Sequence, residues 1–360
     1  MAPSPIRVLD LFAGAGGFTQ GLHESNAPFQ TVQAVEMDIA AAATFSINFP
    51  SASVFAGSIQ DWLATGEIPA GVDVIIGGPP CQGFSTLGKQ DVEDERNSLW
   101  MQYVETIRRV RPKIFVVENV AAFAKSPQFA QFQATLATDP ALADYSTEWR
   151  ILNSADYGAP QARKRAVMIG HRRDVATPRW PERTHKEKPK TVEHAFAGVP
   201  HSVSSTSLEE RTFEFAGTKL SGPYSGRDLH VGRDYTELSM RRFAAIPENG
   251  NRFDLPDELL APCWRKHKSG SGDVMGRLRW NQPSVTIRTE FFKPEKGRYL
   301  HPVADRAITH HEAALLQGFP SNFRFAGSRT AIARQIGNAV PIQLGKAIGE
   351  VVALALSAQL

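Results

Sequence analysis

Over the first 170 residues, short β-branched and aliphatic runs alternate with longer stretches whose apolar positions recur every three or four residues. That alternation predicts a parallel sheet flanked by helices on both faces, an α/β fold. Strands are expected at 6–12 (IRVLDLF), 31–37, 72–78, 114–120 and 166–172, and helices at 18–24, 40–49 and 98–110. After Arg173 the period is lost, and Pro178, Pro181, Pro189, Pro200, Pro223 and the run HSVSSTS punctuate the chain. Such a texture predicts a smaller irregular domain or a set of long loops. Helical patterning returns in THHEAALLQGF, read as a helix with a core face and two polar residues, His310 and His311, at its start. The last stretch, AIGEVVALALSAQL, is apolar on a broad face and needs a partner, for which the first-half sheet is the obvious choice. The expected division is therefore 1–171 with 309–360, and 172–308.

Composition narrows the class. A chain of 360 residues, 42% of them hydrophobic, has material for one large domain or two ordinary ones. No apolar run approaches the roughly 18 to 20 residues of a membrane span, and the N-terminus meets Asp10 before a signal-peptide core develops. Two distant cysteines, Cys81 and Cys263, are too few for a disulfide framework or a cysteine-built zinc site. A reducing, cytoplasmic setting is expected, without membrane and without metal. The histidines in the middle segment lack metal-ligand spacing. Net charge is +3, but residues 171–280 carry four more positive than negative charges while the remainder carries one more negative. This weak tilt fits a nucleic-acid surface or an ordinary solvated one equally.

Four motifs carry chemistry. DLFAGAGGFTQGL, Asp10 to Leu22, places a glycine-rich turn between a strand and a helix. Small residues there let a nucleotide-like ligand approach the backbone. The spacing of Gly14, Gly16 and Gly17 is not that of the dinucleotide fingerprint, which disfavours a nicotinamide oxidoreductase. At the end of the next strand Glu36 is placed to accept from ribose hydroxyls; the alternative is a tight turn plus a surface glutamate. GGPPCQGFS then sets Cys81 on a rigid turn after a strand, where a nucleophile fits better than a structural thiol. IFVVENV brings Glu118 to the same sheet edge, although alone it reads as a solvated strand end. QARKR alternates, so that Gln161, Arg163 and Arg165 share a side, either as a surface ion-pair set or to hold a phosphate or a reacting base.

These motifs, in this order and with QIGNAVP at 335–341, closely resemble the cytosine carbon-5 DNA methyltransferases of bacterial type. The resemblance covers the first 170 residues and the last 50 or 60. It implies an S-adenosylmethionine-dependent, Rossmann-like catalytic domain and a smaller target recognition domain. It assigns Phe12, Gly14, Gly16 and Gly17 to the cofactor, Glu36 to its ribose, and Asn338 and Val340 to its methionine end. Many relatives carry an adenine-contacting Asp after the third strand where this chain has Ser58, with Asp61 three residues on; Met37, Ile59 and Pro79 are then expected to supply apolar contact instead. Cys81 becomes the nucleophile, Glu118 the partner of the cytosine ring, Arg163 the support of its carbonyl and Arg165 a brace.

The resemblance further implies double-stranded DNA as partner, with the target base flipped out of the helix. Gln82 and Ser85 belong to a loop that closes on DNA, and Arg241, Arg242, Arg265, Lys266, Lys268, Arg277 and Arg279 are candidate DNA contacts in the middle segment. Cys263 is read as a structural thiol. A monomer at the bacterial nucleoid is expected, with a cognate restriction endonuclease as possible partner. Two other readings stand beside this one: a transfer RNA cytosine-5 methyltransferase on the same scaffold, and a catalytically silent DNA-binding protein. The long middle segment disfavours the first, and the intact Cys81, Glu118, Arg163 and Arg165 disfavour the second.

Overall fold

A computed structural model describes residues 4–80, 99–266 and 269–358. They divide into two compact units, Met1–Tyr157 with Arg163–Thr184 and Val340–Leu360, and Gly158–Ala162 with His185–Ala339.

The first unit runs β1 (Ile6–Leu11), α1 (Gly17–Glu24), β2 (Phe29–Glu36), α2 (Ile39–Asn48), β3 (Ser53–Ala56), α3 (Ile59–Thr65), β4 (Val74–Gly77), α4 (Leu99–Val110), β5 (Ile114–Val120), α5 (Pro127–Thr138), β6 (Tyr145–Asn153) and β7 (Lys164–Arg172). The seven strands form one sheet in the order β3-β2-β1-β4-β5-β7-β6. The first five strands are parallel, and β7 joins β5 antiparallel, with β6 antiparallel beyond it. The order reverses at β1, between β2 and β4, where open α/β sheets bind ligands beyond their carboxyl ends.

Local chemistry sets the helix starts. Asp38 caps α2 by accepting from the Ala41 N–H, and Ser126 caps α5 ahead of Pro127 at the first helical position. One apolar cluster gathers Leu9, Leu11 and Phe115 with Trp62, Tyr103, Phe129 and Phe132. A second joins Val8, Ile76, Val116 and Val167 to Leu344, Ile348 and Val352. The helix Ile342–Ser357 thus covers the first-half sheet, with α1 beside it. Four elements went unread in the sequence, namely β3, β6, α3 and α5, and the sheet is mixed where a parallel one was expected.

The second unit has little regular structure. Its helices are short, except for Glu237–Ala245, His310–Gln317 and Arg329–Asn338, and its only named strands among the described residues are Thr212–Phe215, Thr218–Ser221, Tyr224–Ser225 and Arg324–Phe325. One apolar cluster gathers Phe243, Ile246, Leu255, Leu259, Met275 and Leu300, and Phe291, Leu316, Phe319, Phe323, Phe325 and Ile332 are buried elsewhere in the unit. Buried arginines fasten the loops. Arg277, 3% exposed, donates to the carbonyls of Phe243, Ile246, His301 and Ala304 and pairs with Asp305. Arg298 donates to the Asn249, Gly250, Gly272 and Arg277 carbonyls. Arg306 grips the Glu312 carboxylate with two nitrogens, at 2.8 and 2.7 Å. Glu312 also closes a capping box with Thr309 at the start of His310–Gln317.

Two expectations are corrected here, for Arg277 and Cys263. Arg277 cannot meet DNA, because its guanidinium is buried and spent on the backbone. His310 and His311 open the helix His310–Gln317 as expected, and both are buried, His310 donating to the Arg329 carbonyl and stacking on Phe292. Cys263 is exposed rather than structural. No single helix among the described residues is long and apolar enough to cross a membrane.

Candidate active site

The glycine-rich turn leaves β1 with Phe12 at φ +55°, Gly14 at +56° and Gly16 at +88°. Left-handed backbone suits glycine, and at Phe12 it costs roughly 1–2 kcal/mol. Nothing lies within 4 Å of where a Gly14 side chain would begin, so the turn faces open space. The Gly14 N–H donates to Glu36 Oε2 at 2.8 Å and the Asp38 N–H donates to Oε1 at 2.7 Å. The carboxylate is thus fixed at the end of β2 by two main-chain donors while burial pushes its pKa up. Directly after it Met37 is 68% exposed, a large apolar side chain left in the open beside the turn. An open glycine cradle, an oriented carboxylate and an uncovered apolar side chain fit a nucleoside cofactor.

Beneath the turn lies a group the sequence reading passed over. Asp10, 1% exposed, accepts from Thr19 Oγ1 at 2.7 Å, tying the end of β1 to α1. Burial pushes its pKa up to about 7, opposed by the Thr19 hydrogen bond and reinforced by Glu36. A charged residue within the apolar run IRVLDLF was the available signal.

Of the remaining cofactor candidates, Ser58 caps α3, accepting from the Asp61 N–H and donating to the Asp61 carboxylate. Ile59 is 4% exposed and packs into the apolar core. Pro79 is buried, and its carbonyl accepts from Asn119 Nδ2 at 2.8 Å. Asn338 is exposed at the end of Arg329–Asn338 in the second unit, and Val340 packs half-buried against the second core cluster of the first.

The carboxyl ends of β4 and β5 carry the other cluster. In the β5–β7 ladder Glu118 pairs with Val167 and Val120 with Arg165, so Glu118 and Arg165 are diagonal neighbours on one face. Arg165 Nε lies 2.6 Å from Glu118 Oε1, both side chains being 10% exposed. Burial pulls the Arg165 pKa down while Glu118 raises it. Arg163, two positions earlier, is 3% exposed, whereas the intervening Lys164 is exposed, as the alternation in QARKR required. Gln161 belongs to the second unit, where it is fully buried and bonded to Gln317, Leu316 and Ile287; its role there is structural. Gly78 lies against this carboxylate, a side chain there reaching 3.1 Å from Glu118 Oε2. A buried ion pair is costly to desolvate and is weak as a stabiliser. This pair stands where β5 ends and β7 begins, against Gly78 at the end of β4, and a buried, perturbed pair in such a place is a candidate functional site. Cys81, Gln82, Ser85 and Lys268 lie outside the described residues.

Among the other DNA candidates, Arg241, Arg265 and Lys266 are exposed. Arg265 donates to the Asp257 carbonyl, and Arg242 donates to the Leu259 carbonyl and stacks over Trp264. Arg279 is half-buried and donates to Gln282. Among the described residues no group of three or more His, Cys, Asp or Glu is placed to hold a metal.

A mixed sheet with its order reversed at a glycine-rich turn, an acidic residue closing the next strand and a buried acid–arginine pair at the neighbouring strand ends define an S-adenosylmethionine-dependent methyltransferase class. Residues 6–353 match the model of the C-5 cytosine-specific DNA methylases, and the chain belongs to that family. It is similar to the Type II methyltransferase M.XorII of Xanthomonas oryzae, 34% identical over 95% of this chain and 83% of that protein. Similarity to the Type II methyltransferase M1.HphI of Haemophilus parahaemolyticus is 33% identity over 96% of this chain and 86% of the other. Among solved structures, a protein assigned as a DNA modification methyltransferase encoded within an E. coli prophage superposes with a TM-score of 0.71 at 25% identity, over 98% of this chain and all of that one. The methyltransferase EhMeth of Entamoeba histolytica shares the fold, with a TM-score of 0.61 at 16% identity over 99% of this chain and all of its own. The chain is a DNA (cytosine-5)-methyltransferase whose methyl donor is S-adenosylmethionine.

Proposed function

We propose that this enzyme methylates carbon 5 of cytosine within one short sequence of double-stranded DNA, through a covalent adduct on Cys81, as the modification partner of a Type II restriction endonuclease. The single observation that carries the reading is the buried Glu118–Arg165 pair at the strand ends, behind the turn leading to Cys81. Cytosine carbon 5 is too electron-poor to attack an alkyl donor unaided. The Cys81 thiolate adds to carbon 6, and Glu118, hydrogen-bonded to ring nitrogen 3 and the exocyclic amine, supplies the proton that lets the ring accept the new electron pair. Arg163 holds the base carbonyl as it gains negative charge, and Arg165 keeps Glu118 in place. Bound S-adenosylmethionine supplies an electrophilic methyl group. Loss of the carbon-5 proton to a base then re-forms the double bond as the Cys81 thiolate leaves carbon 6.

On this reading Phe12, Gly14, Gly16, Gly17, Glu36 and Met37 hold the cofactor, with Asn338 and Val340 at its methionine end. Residues 172–308 form the target recognition domain, in which Arg241, Arg242, Arg265 and Lys266 meet DNA. Gln82 and Ser85 sit in the closing loop. The relatives named as Type II methyltransferases support the pairing with an endonuclease, and the enzyme acts as a monomer on one strand at a time. Incubation with tritiated S-adenosylmethionine and mixed-sequence duplex DNA, followed by bisulfite sequencing, tests it. Conversion-resistant cytosines confined to one short motif are expected; label in transfer RNA with none in DNA would overturn the reading.

A further inference from the structure

Within the second unit a polar crevice of about 290 Å³ is lined by Asn251, Asp273, Arg279, Gln282, Ser284 and Arg298, among others. Its polar groups are unevenly committed. Asp273, the carboxylate in the lining, is paired with Arg298 Nε at 3.2 Å. Arg298 is otherwise spent on carbonyls. Gln282 Oε1 accepts from Arg279 Nη1 at 3.3 Å, which orients the guanidinium and leaves the glutamine amide as a donor. Among the described residues no carboxylate pairs with Arg279. Ser284 is 2% exposed, and its hydroxyl has no hydrogen-bond partner there, although its backbone is tied to Pro160 and Ala162. A buried hydroxyl without a partner is costly, and a ligand that bonds it would recover that cost.

What stands free in the crevice is one unpaired guanidinium, one amide donor and one hydroxyl. That set is matched by a pair of adjacent acceptors and mismatched by an amine. The major-groove edge of guanine offers two acceptors, O6 and N7, and arginine is the side chain whose fork meets both. We infer that this crevice is a base-reading subsite, in which Arg279, aligned by Gln282, reads the O6 and N7 edge of a guanine in the recognition sequence. The inference rests on the proposed reading of residues 172–308 as the target recognition domain. Arg279 is here a specificity-determining residue and takes no part in methyl transfer.

The test is a randomised duplex library, methylated by the full-length enzyme and read by bisulfite sequencing, with wild type, Arg279→Lys, Arg279→Ala and Gln282→Ala side by side. Wild type should require guanine at one fixed position of its motif. In both Arg279 variants discrimination at that position alone should fall by about 5- to 150-fold, the range for loss of one bidentate contact. Gln282→Ala should produce a smaller fall at the same position, and the other positions should keep their preference. Rescue by Lys, with a uniform loss across sequences in Ala and a salt slope shallower by about one, would make Arg279 a phosphate contact and overturn the inference. An unchanged motif in all three variants would also overturn it. A wild-type enzyme that methylates no motif would instead sink the reading beneath it.

Discussion

The two units bury charge in opposite ways. In the first, built on a regular sheet with two apolar clusters, the buried charged groups stand at strand ends beside open turns: Asp10 and Glu36 near the glycine-rich turn, Glu118 and Arg165 at the ends of β5 and β7. In the second, which has little regular structure, buried arginines lie inside the loops and are spent on backbone carbonyls. A sheet satisfies its own backbone, so its buried charges are free to serve chemistry. Loops leave carbonyls unpaired, and in the second unit arginine supplies the missing donors. Burial of a charged side chain therefore marks a candidate site in one unit and a fastener in the other.

The sharpest break in that comparison is Glu118→Gln. A neutral amide keeps the shape but cannot supply a proton to the ring, so turnover should fall by about 10²- to 10⁴-fold while cofactor binding measured by calorimetry persists. Near-normal turnover would remove Glu118 from the chemistry and leave its burial unexplained.

Next in size is Arg277→Ala. Leaving four carbonyls and Asp305 without their donor should cost about 3–5 kcal/mol of stability in denaturant melts. Arg241→Ala, at an exposed position, should change stability by less than about 0.5 kcal/mol and act on salt-dependent DNA affinity instead. If the two variants behave alike in both measurements, the division into fasteners and contacts fails.

Acidity should act with opposite signs on a buried aspartate of the first unit and two buried histidines of the second. Asp10, pushed up to about 7 by burial from an ordinary 3.8, holds its proton more tightly in the folded chain. Its contribution is complete at low pH and lost as pH rises through about 7. Burial pushes His301 and His310 down to about 4 from an ordinary 6.5. Their contribution is present above 6.5 and lost as pH falls through about 4. In thermal melts the stability of Asp10→Asn relative to wild type should increase between pH 4 and 7, and that of His301→Gln should increase as pH drops from 6.5 to 4. Differences independent of pH would show that neither group titrates with folding.

The smallest effect concerns Ser58. As the cap of α3 its replacement by Ala should cost about 1 kcal/mol, read by thermal denaturation, with cofactor affinity unchanged. A large loss of affinity would return Ser58 to the adenine site.

How much of this was legible followed from the same contrast. The glycine-rich turn, Glu36, the approach to Cys81, Glu118 and the alternating Arg163 and Arg165 sit in local motifs at strand ends, where a few consecutive residues state both element and chemistry. The strand β6 was missed because YSTEWRILN lies at the sheet's edge with most of its residues exposed, so no alternation marks it. The four residues of β3 are too few to show a period. Helix α5 did carry a signal, in Phe129, Phe132 and Leu136 at helical spacing, all buried. Arg277 looked like any basic residue in a recognition segment, because the carbonyls it serves lie 24 to 34 positions away in the chain. Nothing in the residues beside it records that pairing, just as nothing beside Cys263 records its exposure.

The central claim is that the thiol of Cys81 attacks a cytosine whose ring is held by Glu118. It is tested most directly with a duplex carrying 5-fluorocytosine at the mapped target, in the presence of S-adenosylmethionine. Fluorine on carbon 5 cannot leave as a proton does, so the adduct should persist as a denaturant-stable protein–DNA complex. Peptide mass spectrometry should place the cross-link on Cys81, and Cys81→Ala should abolish it. Methylation of ordinary duplex without any trapped complex, or a cross-link on another residue, would contradict the account.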